Sequence, residues 1–409
     1  MSNPQLNYTL MIMVIGTLMV LTMLIKSWLG RIRVPSLIGF LLIGFFIRLT
    51  GNQWGVISPA SDEIFELFAK IGLITLLFRV GLESNLKGLL KQLRSASLVW
   101  IGNILLCAVI GFVTVFYFLG LEWITSIIVA IAFTATSVGI SVAVWEGADA
   151  LQTPNGELLI DVAELDDISA VILMAMLFAL LPHLKHNAEA GLYPVIAETV
   201  GIFLAKIFGF GLFCVLFSRF LEKPVTRYFR NLEPPSDFIL VVAGIGFIIA
   251  ALADYIGFSL AIGAFFAGLV FSRDKEAVKR QGSFMPLYEL FSPFFFIGIG
   301  MHVDPAALGS ALNLSAVLAV AAFAVKIVGN GLPVWMLRDL PSAVLIGTSM
   351  VPRAEITMVI MQHGLNQGAW AVPPKIFNAM VLVSILSCTL APLIVQLLLV
   401  RWPQTEEAG

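Results

Sequence analysis

Apolar residues run along this chain in long blocks that short polar breaks interrupt. Thirteen blocks can be read, at about 7–25, 34–49, 64–82, 97–119, 122–146, 158–182, 193–221, 237–255, 257–271, 288–302, 314–337, 341–364 and 376–400. Most are of the roughly 17 to 25 residues that cross a bilayer core as a helix, and the breaks carry Pro, Gly or charge. The division at "ADYIG", 253–257, splits one long apolar run. The pattern predicts an all-α polytopic membrane protein with 13 transmembrane helices. In hydrocarbon a backbone must satisfy its own hydrogen bonds, and helices do so.

Composition agrees with this reading. Hydrophobic residues make up 59% of the 409 and charged residues 12%, half the share of about 25% in soluble domains. Mean hydropathy is +0.96. The N-terminal "MSNPQLNYTLMIMVIG" has no basic stretch ahead of its apolar run, so 7–25 is expected to be a retained helix rather than a signal peptide. Placement of the basic residues orients the chain. With the N-terminus outside, the inner loops hold three Lys or Arg in 26–33, four in each of 79–96, 219–236 and 272–287, and Arg338 and Arg401. The outer segments hold only Arg48, Lys185 and Lys375. The expected topology is N-terminus out, C-terminus in.

The chain also echoes itself at an offset near 223. "SLIGFLLIGFFI" (36–47) matches "SLAIGAFFAGLVF" (259–271), "ELF" (66–68) recurs at 289–291, and "FRVGLESN" (78–85) resembles "FIGIGMHVD" (296–304). These copies lie seven spans apart, an odd number, so they run through the membrane in opposite directions. Inverted repeats of this kind mark secondary transporters that work by alternating access. The 1–409 chain then reads as a single transport domain. Residues 34–182 form a first repeat and 257–400 a second, 7–25 and 237–255 are also related, and 193–221 is a linking helix. The repeat pairs span 5, "AFTATSVGIS" (132–141), with span 12, "GTSMVPRAEITMV" (347–359). Hydroxyl residues and Gly interrupt the first, and Pro352 breaks the second. Both are expected to be discontinuous helices that cross, because irregular backbone in a bilayer must be buried in protein or line a cavity.

Span 6, "VAELDDISAVILMAMLFALLP" (162–182), poses the chemical question. Asp166 and Asp167 lie eight or nine residues into it, roughly 12–14 Å deep. A carboxylate at that depth costs at least a few kcal/mol unless paired or hydrated, and it marks a functional site by default. Lys326 is the only base deep in span 11 and Arg353 the only other one near the midplane, with Lys206 fairly deep in span 7. Asp166 is expected to pair with Lys326, since burying either charge alone favours its neutral form. Asp167 is then left facing a water-filled cavity, free to trade H⁺ for a small cation near neutral pH. The hydroxyls of Thr136 and Ser137 and freed carbonyls of span 5 would supply the oxygen ligands that a hard cation needs. Asp161 and Glu164, nearer the inner mouth, would draw cations in. Arg353 and Glu355 are expected to brace the broken span 12 through a salt bridge of their own.

Other chemistry finds little footing. Cys107, Cys214 and Cys388 sit far apart in apolar runs, with no disulfide or metal spacing. No phosphate loop, zinc motif or nucleophile elbow appears, so neither enzymatic activity nor a cofactor is expected. Topology explains the basic loops without nucleic acid. The four histidines lie at span ends and read as solvated. A Na⁺-coupled symporter of an organic anion would need a basic pocket, for which Arg353 is the sole candidate.

Five segments in order, "LLFRVGLESNL", "ATSVGI", "DD", "KIVGN" and "PRAE", give the whole chain a resemblance to the monovalent cation:proton antiporters, in the NapA-like branch of thirteen helices. The resemblance implies a homodimer in the cell membrane, with a dimerisation panel and a six-helix core that moves like an elevator. It implies exchange of Na⁺ or Li⁺ for H⁺, with K⁺/H⁺ antiport or K⁺ efflux as the alternative. It makes Asp167 the position that binds Na⁺ or a proton, and Asp166 the partner of Lys326. Two acids and one lysine would permit two H⁺ to exchange for one Na⁺, an electrogenic cycle. Ala354 stands where the family often has glycine. No nucleotide-binding domain of the Kef type is expected.

Overall fold

The computed structural model describes residues 4–31, 34–54, 59–83, 86–186, 192–230, 238–272 and 281–404. Among them every regular element is helical: α1 (Pro4–Arg31), α2 (Ser36–Trp54), α3 (Pro59–Glu83), α4 (Leu86–Val113), α5 (Trp123–Thr134), α6 (Val138–Glu146), α7 (Pro154–His186), α8 (Leu192–Leu216), α9 (Glu222–Arg230), α10 (Phe238–Tyr255), α11 (Leu260–Phe271), α12 (Gln281–Met301), α13 (Leu308–Leu337), α14 (Leu340–Ser349), α15 (Glu355–Gln367) and α16 (Pro374–Arg401). Single π-helical turns follow α4 at Thr114–Phe118 and α8 at Phe217–Leu221. The basic stretch at 273–280, the end of the inner loop at 231–237, and residues 84–85 of the repeat echo lie outside the described residues.

Eight helical stretches among the described residues are long and apolar enough to cross a membrane, and four shorter apolar helices accompany them. The protein is a multi-pass membrane protein. The apolar run through "ADYIG" does break. Gly257 takes φ 95°, a backbone shape that glycine tolerates, and Ser259 then caps α11 by accepting from Ile262 N at 3.4 Å.

The chain forms two compact units. One holds 1–84 and 179–302, and the other 85–178 and 303–409, so α7 is shared between them. Each unit takes part of both echoing halves.

In the first unit, two helix pairs touch backbone to backbone at glycines. Where α2 meets α12, a Cβ on Gly44 would lie 2.0 Å from Ile297 O and one on Gly300 2.1 Å from Leu41 O. Where α3 meets α11, a Cβ on Gly81 would lie 2.1 Å from Phe265 O and one on Gly268 2.2 Å from Phe78 O. Every one of these glycines faces the carbonyl three residues before its partner glycine. The two crossings therefore share one register, and small residues let the backbones approach this closely.

In the second unit, α4 and α13 also cross at glycines, less closely and in another register. A Cβ on Gly102 would lie 3.0 Å from Gly329 O, and one on Gly329 3.2 Å from Asn103 Cα. Around this crossing, Trp145, Leu345, Ile346 and Met350 are fully buried and pack with Val162 and Val395.

Candidate functional site

Two helix interruptions in the second unit build the site. After α5 the chain runs extended at Ala135 (φ −66°, ψ 145°) and leaves the helical region again at Ser137 (φ −100°, ψ 82°) before α6 begins. Hydroxyl side chains that compete for local hydrogen bonds favour such a break. Between α14 and α15 the chain unwinds over 351–354, where Pro352 has no N–H to give a helix. The two unwound stretches bind each other, Ser137 N donating to Pro352 O at 2.7 Å. Ser141 Oγ donates to Ser349 O at 2.6 Å, and Trp145 Nε1 to Ser349 Oγ at 2.8 Å, which fastens α6 to the end of α14. Thr357 Oγ1 reaches Ala132 O at 3.1 Å.

Each interruption leaves carbonyls at a helix C-terminus with no amide partner, at the negative end of the helix dipole. Two fully buried cations meet them. Lys326 Nζ donates to Thr134 O at 2.7 Å, to Thr136 Oγ1 at 2.6 Å and to Asp166 Oδ2 at 3.0 Å, which employs all three ammonium protons. Arg353 donates from its two terminal nitrogens to Val351 O and Phe133 O, both at 3.0 Å, and its guanidinium lies 5.0 Å from the Phe133 ring centre.

The expected salt bridge between Arg353 and Glu355 is absent among the described residues. Arg353 precedes α15, turns back to the carbonyls and leaves Glu355 on the first turn. It does brace the break, by charge-assisted bonds to backbone rather than by an ion pair. Its own carbonyl accepts from Ser384 Oγ and from Cys388 Sγ. Ala354 has φ −139°, so the position makes no demand for glycine through a positive φ.

The structure brings Asp166, Lys326 and Thr136 together. Asp166 is fully buried. Besides Lys326 it accepts from Thr136 Oγ1 at 2.8 Å, and Asn103 Nδ2 lies 2.7 Å from each of its oxygens. Asp167, one residue on and about 100° around the helix, is half-buried. It makes no hydrogen bond or ion pair among the described residues. Asp166, Glu355 and Glu164 bear on it with like charge and Lys326 with opposite charge. Thr136, expected beside the cation, gives its hydroxyl to Asp166. Ser137 is 5% exposed. Asp161 and Glu164 lie on α7 about two turns and one turn before Asp167, and Asp161 Oδ2 is buried without a hydrogen-bond partner among the described residues.

Sequence reasoning missed Asn103. Its amide nitrogen faces Asp166, while its Oδ1 accepts from Cys107 Sγ and from Asn330 Nδ2, each at 3.2 Å. Asn330 Nδ2 also donates to Lys326 O at 3.0 Å. The available signal was the pair of Gly-Asn doublets, 102–103 on α4 and 329–330 on α13. His363, expected to be solvated, stacks on Phe178 with ring centres 3.7 Å apart.

The family model described as "Sodium/hydrogen exchanger, transmembrane" matches residues 17–401. The high-affinity Na(+)/H(+) antiporter NhaS3 of Synechocystis is 26% identical over 82% of this chain and 72% of its own length. The Na(+)/H(+)-K(+) antiporter GerN of Bacillus cereus is 29% identical over 88% of this chain and 89% of its own. Among solved structures, that of the sodium proton antiporter MjNhaP1 from Methanocaldococcus jannaschii superposes with a TM-score of 0.69 over 97% of both chains, at 16% identity, and so has the same fold. By the span of that family match, the chain belongs to the transmembrane sodium/hydrogen exchanger family.

Proposed function

We propose that this protein exchanges Na⁺ or Li⁺ for H⁺ across the cell membrane by alternating access, with Asp167 taking the cation or the proton in turn. The observation that carries this reading is the contrast between adjacent carboxylates. Asp166 is fully buried and engaged by Lys326, Thr136 and Asn103, while half-buried Asp167 has no partner among the described residues. A carboxylate without fixed donors can lose a proton and gain a cation with little rearrangement, whereas Asp166 would first have to break its bonds. Ser137 and the backbone of the 135–137 break would supply further oxygen ligands. Asp161 and Glu164 concentrate cations on the approach.

Thirteen membrane passages, with the N-terminus outside and the C-terminus inside, fit the helices once α5 with α6 and α14 with α15 are each taken as one interrupted span and the short charged α9 is set aside. The matched glycine crossings support an inverted repeat of 34–182 and 257–400. The unit that carries the site holds six of those spans and would move in an elevator-like step, in a homodimer. Lys326, by giving up its proton when Asp166 is held by its other donors, would let two H⁺ exchange for one Na⁺. The name of the Bacillus cereus relative includes K⁺, which favours K⁺/H⁺ exchange as the second reading.

The test is proton movement in proteoliposomes under an imposed pH gradient, with Na⁺, Li⁺ and K⁺ added in turn. Wild type should collapse the gradient on addition of Na⁺ or Li⁺, and Asp167→Asn should not. A response to K⁺ alone would replace the first reading with the second. Equal rates in wild type and variant would remove Asp167 from the exchange site.

A further inference from the structure

Between two apolar helices, α8 and α10, the chain makes a helix of different character. The membrane-long stretch Glu198–Leu221 ends where α9 (Glu222–Arg230, "EKPVTRYFR") begins, so α9 starts at the level where hydrocarbon gives way to headgroups. Three of its positions, 223, 227 and 230, are Lys or Arg. At about 100° per residue they fall within an arc of about 60°. Val225, Tyr228 and Phe229 occupy an arc of about 100° on the opposite side. Arg219, in the π-helical turn before α9, is exposed, and its guanidinium lies 5.9 Å from the ring centre of Phe220.

Orientation in the membrane asks only for basic residues in number, not for a shared helix face. Here they share one, and the single acid of α9, Glu222, is buried, which leaves that face without a negative charge. Arg227 is exposed beside it. Phe220 is 63% exposed and Tyr228 66%. A soluble acidic partner would match the charge but leave these rings in water. A bilayer surface takes both, since a helix with basic residues on one side and aromatic or aliphatic residues on the other settles at the boundary of headgroups and acyl chains. Ser218, itself buried, donates from Oγ to Val270 O at 2.8 Å. That bond ties the turn to α11 and fixes where α9 sets out.

We propose that Arg219 and α9 form a binding surface for acidic phospholipids, with the basic face on the headgroup phosphates and the apolar face among the upper acyl chains. The ligand is an anionic glycerophospholipid of the leaflet at this end of α8, the inner one on the topology proposed above. Bound there, it holds the connection from α8 to α10 at the membrane surface and stabilises the first unit. The surface uses none of the groups around Asp166 and Asp167, so it stands whether or not the exchange reading does. Its attraction is electrostatic and weakens with salt.

The experiment follows the melting temperature of the full chain in an uncharged detergent as phosphatidylglycerol or phosphatidylcholine is added. Wild type should melt higher with phosphatidylglycerol than with phosphatidylcholine, and the difference should shrink at high salt. Each basic residue near an acidic lipid surface strengthens binding roughly fivefold. Arg219→Gln combined with Arg227→Gln should therefore need about 25-fold more phosphatidylglycerol for half the shift. Arg227→Gln alone should need about fivefold more, and it carries the test if the double variant does not fold. Arg31→Gln combined with Arg401→Gln removes two exposed basic residues at the ends of other helices and should respond as wild type does. Equal shifts with the two lipids in wild type would overturn the proposal and leave the basic face to a soluble acidic partner. A response that survives in the Arg219 and Arg227 variants, or one lost as much in the Arg31 and Arg401 variant, would overturn it as well. So would a shift reproduced in full by glycerol phosphate, which would mark a site for a free anion instead of a lipid.

Discussion

The two helix interruptions in the second unit solve one electrostatic problem with different cations. At the first, after α5, the free carbonyl of Thr134 is met by a lysine that comes from another helix and shares itself with a hydroxyl and a carboxylate. At the second, after α14, the carbonyl of Val351 is met by an arginine two residues further along the same stretch, which also reaches across to Phe133 O. Arginine stays charged under all ordinary conditions, and its planar fork suits two fixed acceptors. Lysine has a point charge that can be discharged when buried. The difference separates a structural brace from a group able to take part in the proton cycle. On the proposed exchange reading, the ionisable chemistry would lie at the α5 break, beside Asp166 and Asp167.

The largest expected effect lies at the brace. Arg353→Leu would strand Val351 O and Phe133 O in a dry interior, with two charge-assisted hydrogen bonds lost. Each contributes about 1.5–3 kcal/mol, so the variant should melt far below wild type in detergent or fail to accumulate. Arg353→Lys keeps the charge but cannot bridge both acceptors, and should recover part of the stability. A Leu variant that melted like wild type would erase the contrast between the two breaks.

Lys326→Gln should act on transport more than on folding. The amide keeps two donors, enough for Thr134 O and one further acceptor, so melting should fall less than for Arg353→Leu. Exchange should persist at a lower rate but lose its dependence on an imposed membrane potential, because one titrating group has been withdrawn. Currents and proton fluxes recorded at several clamped potentials would show this. A variant as voltage-sensitive as wild type would place Lys326 with Arg353, as a second brace.

How far these roles could be read from the chain depended on whether the signal was local. The breaks were legible because Thr134, Thr136 and Ser137 cluster in one apolar run and Pro352 interrupts the other. Asp166 and Lys326 were legible because few charges occur in the apolar spans and opposite ones seek each other. The link between Arg353 and Glu355 misled because nearness in sequence suggested a pair, whereas residues two apart do not face each other on a helix and Arg353 stands outside one. Asn103 was hidden because a single Asn in "IGNILL" has no local pattern. Its meaning depends on Cys107 one turn on, Asn330 on α13 and Asp166 on α7, which only the folded chain assembles. The glycines at the helix crossings carried no such signal either, since the partner of each became known only when the helices were seen to cross.

The smallest effect tests how the two interrupted spans begin. The Asp339 side chain caps α14, accepting from Ser342 N at 2.7 Å, whereas Glu122, ahead of α5, makes no side-chain cap. The Ser342 backbone N–H first, then its hydroxyl, with Arg338 adding, hold the Asp339 carboxyl below its usual value. Asn is an equally good cap without the charge, so Asp339→Asn isolates the ionised contribution. Because the folded value lies below the unfolded one of about 3.9, the stabilisation is fully present above that pH and is lost as pH falls through the folded value. Wild type should therefore melt slightly above Asp339→Asn at neutral pH, and the gap should close below about pH 4. A gap that stayed constant with pH would mean that the carboxylate's charge adds nothing to the cap. The start of α14 would then be held by bonds that do not involve the carboxylate, Asn155 Nδ2 donating to Ser342 Oγ and Arg338 donating to Asn155 Oδ1, and the two spans would differ at their breaks but not at their beginnings.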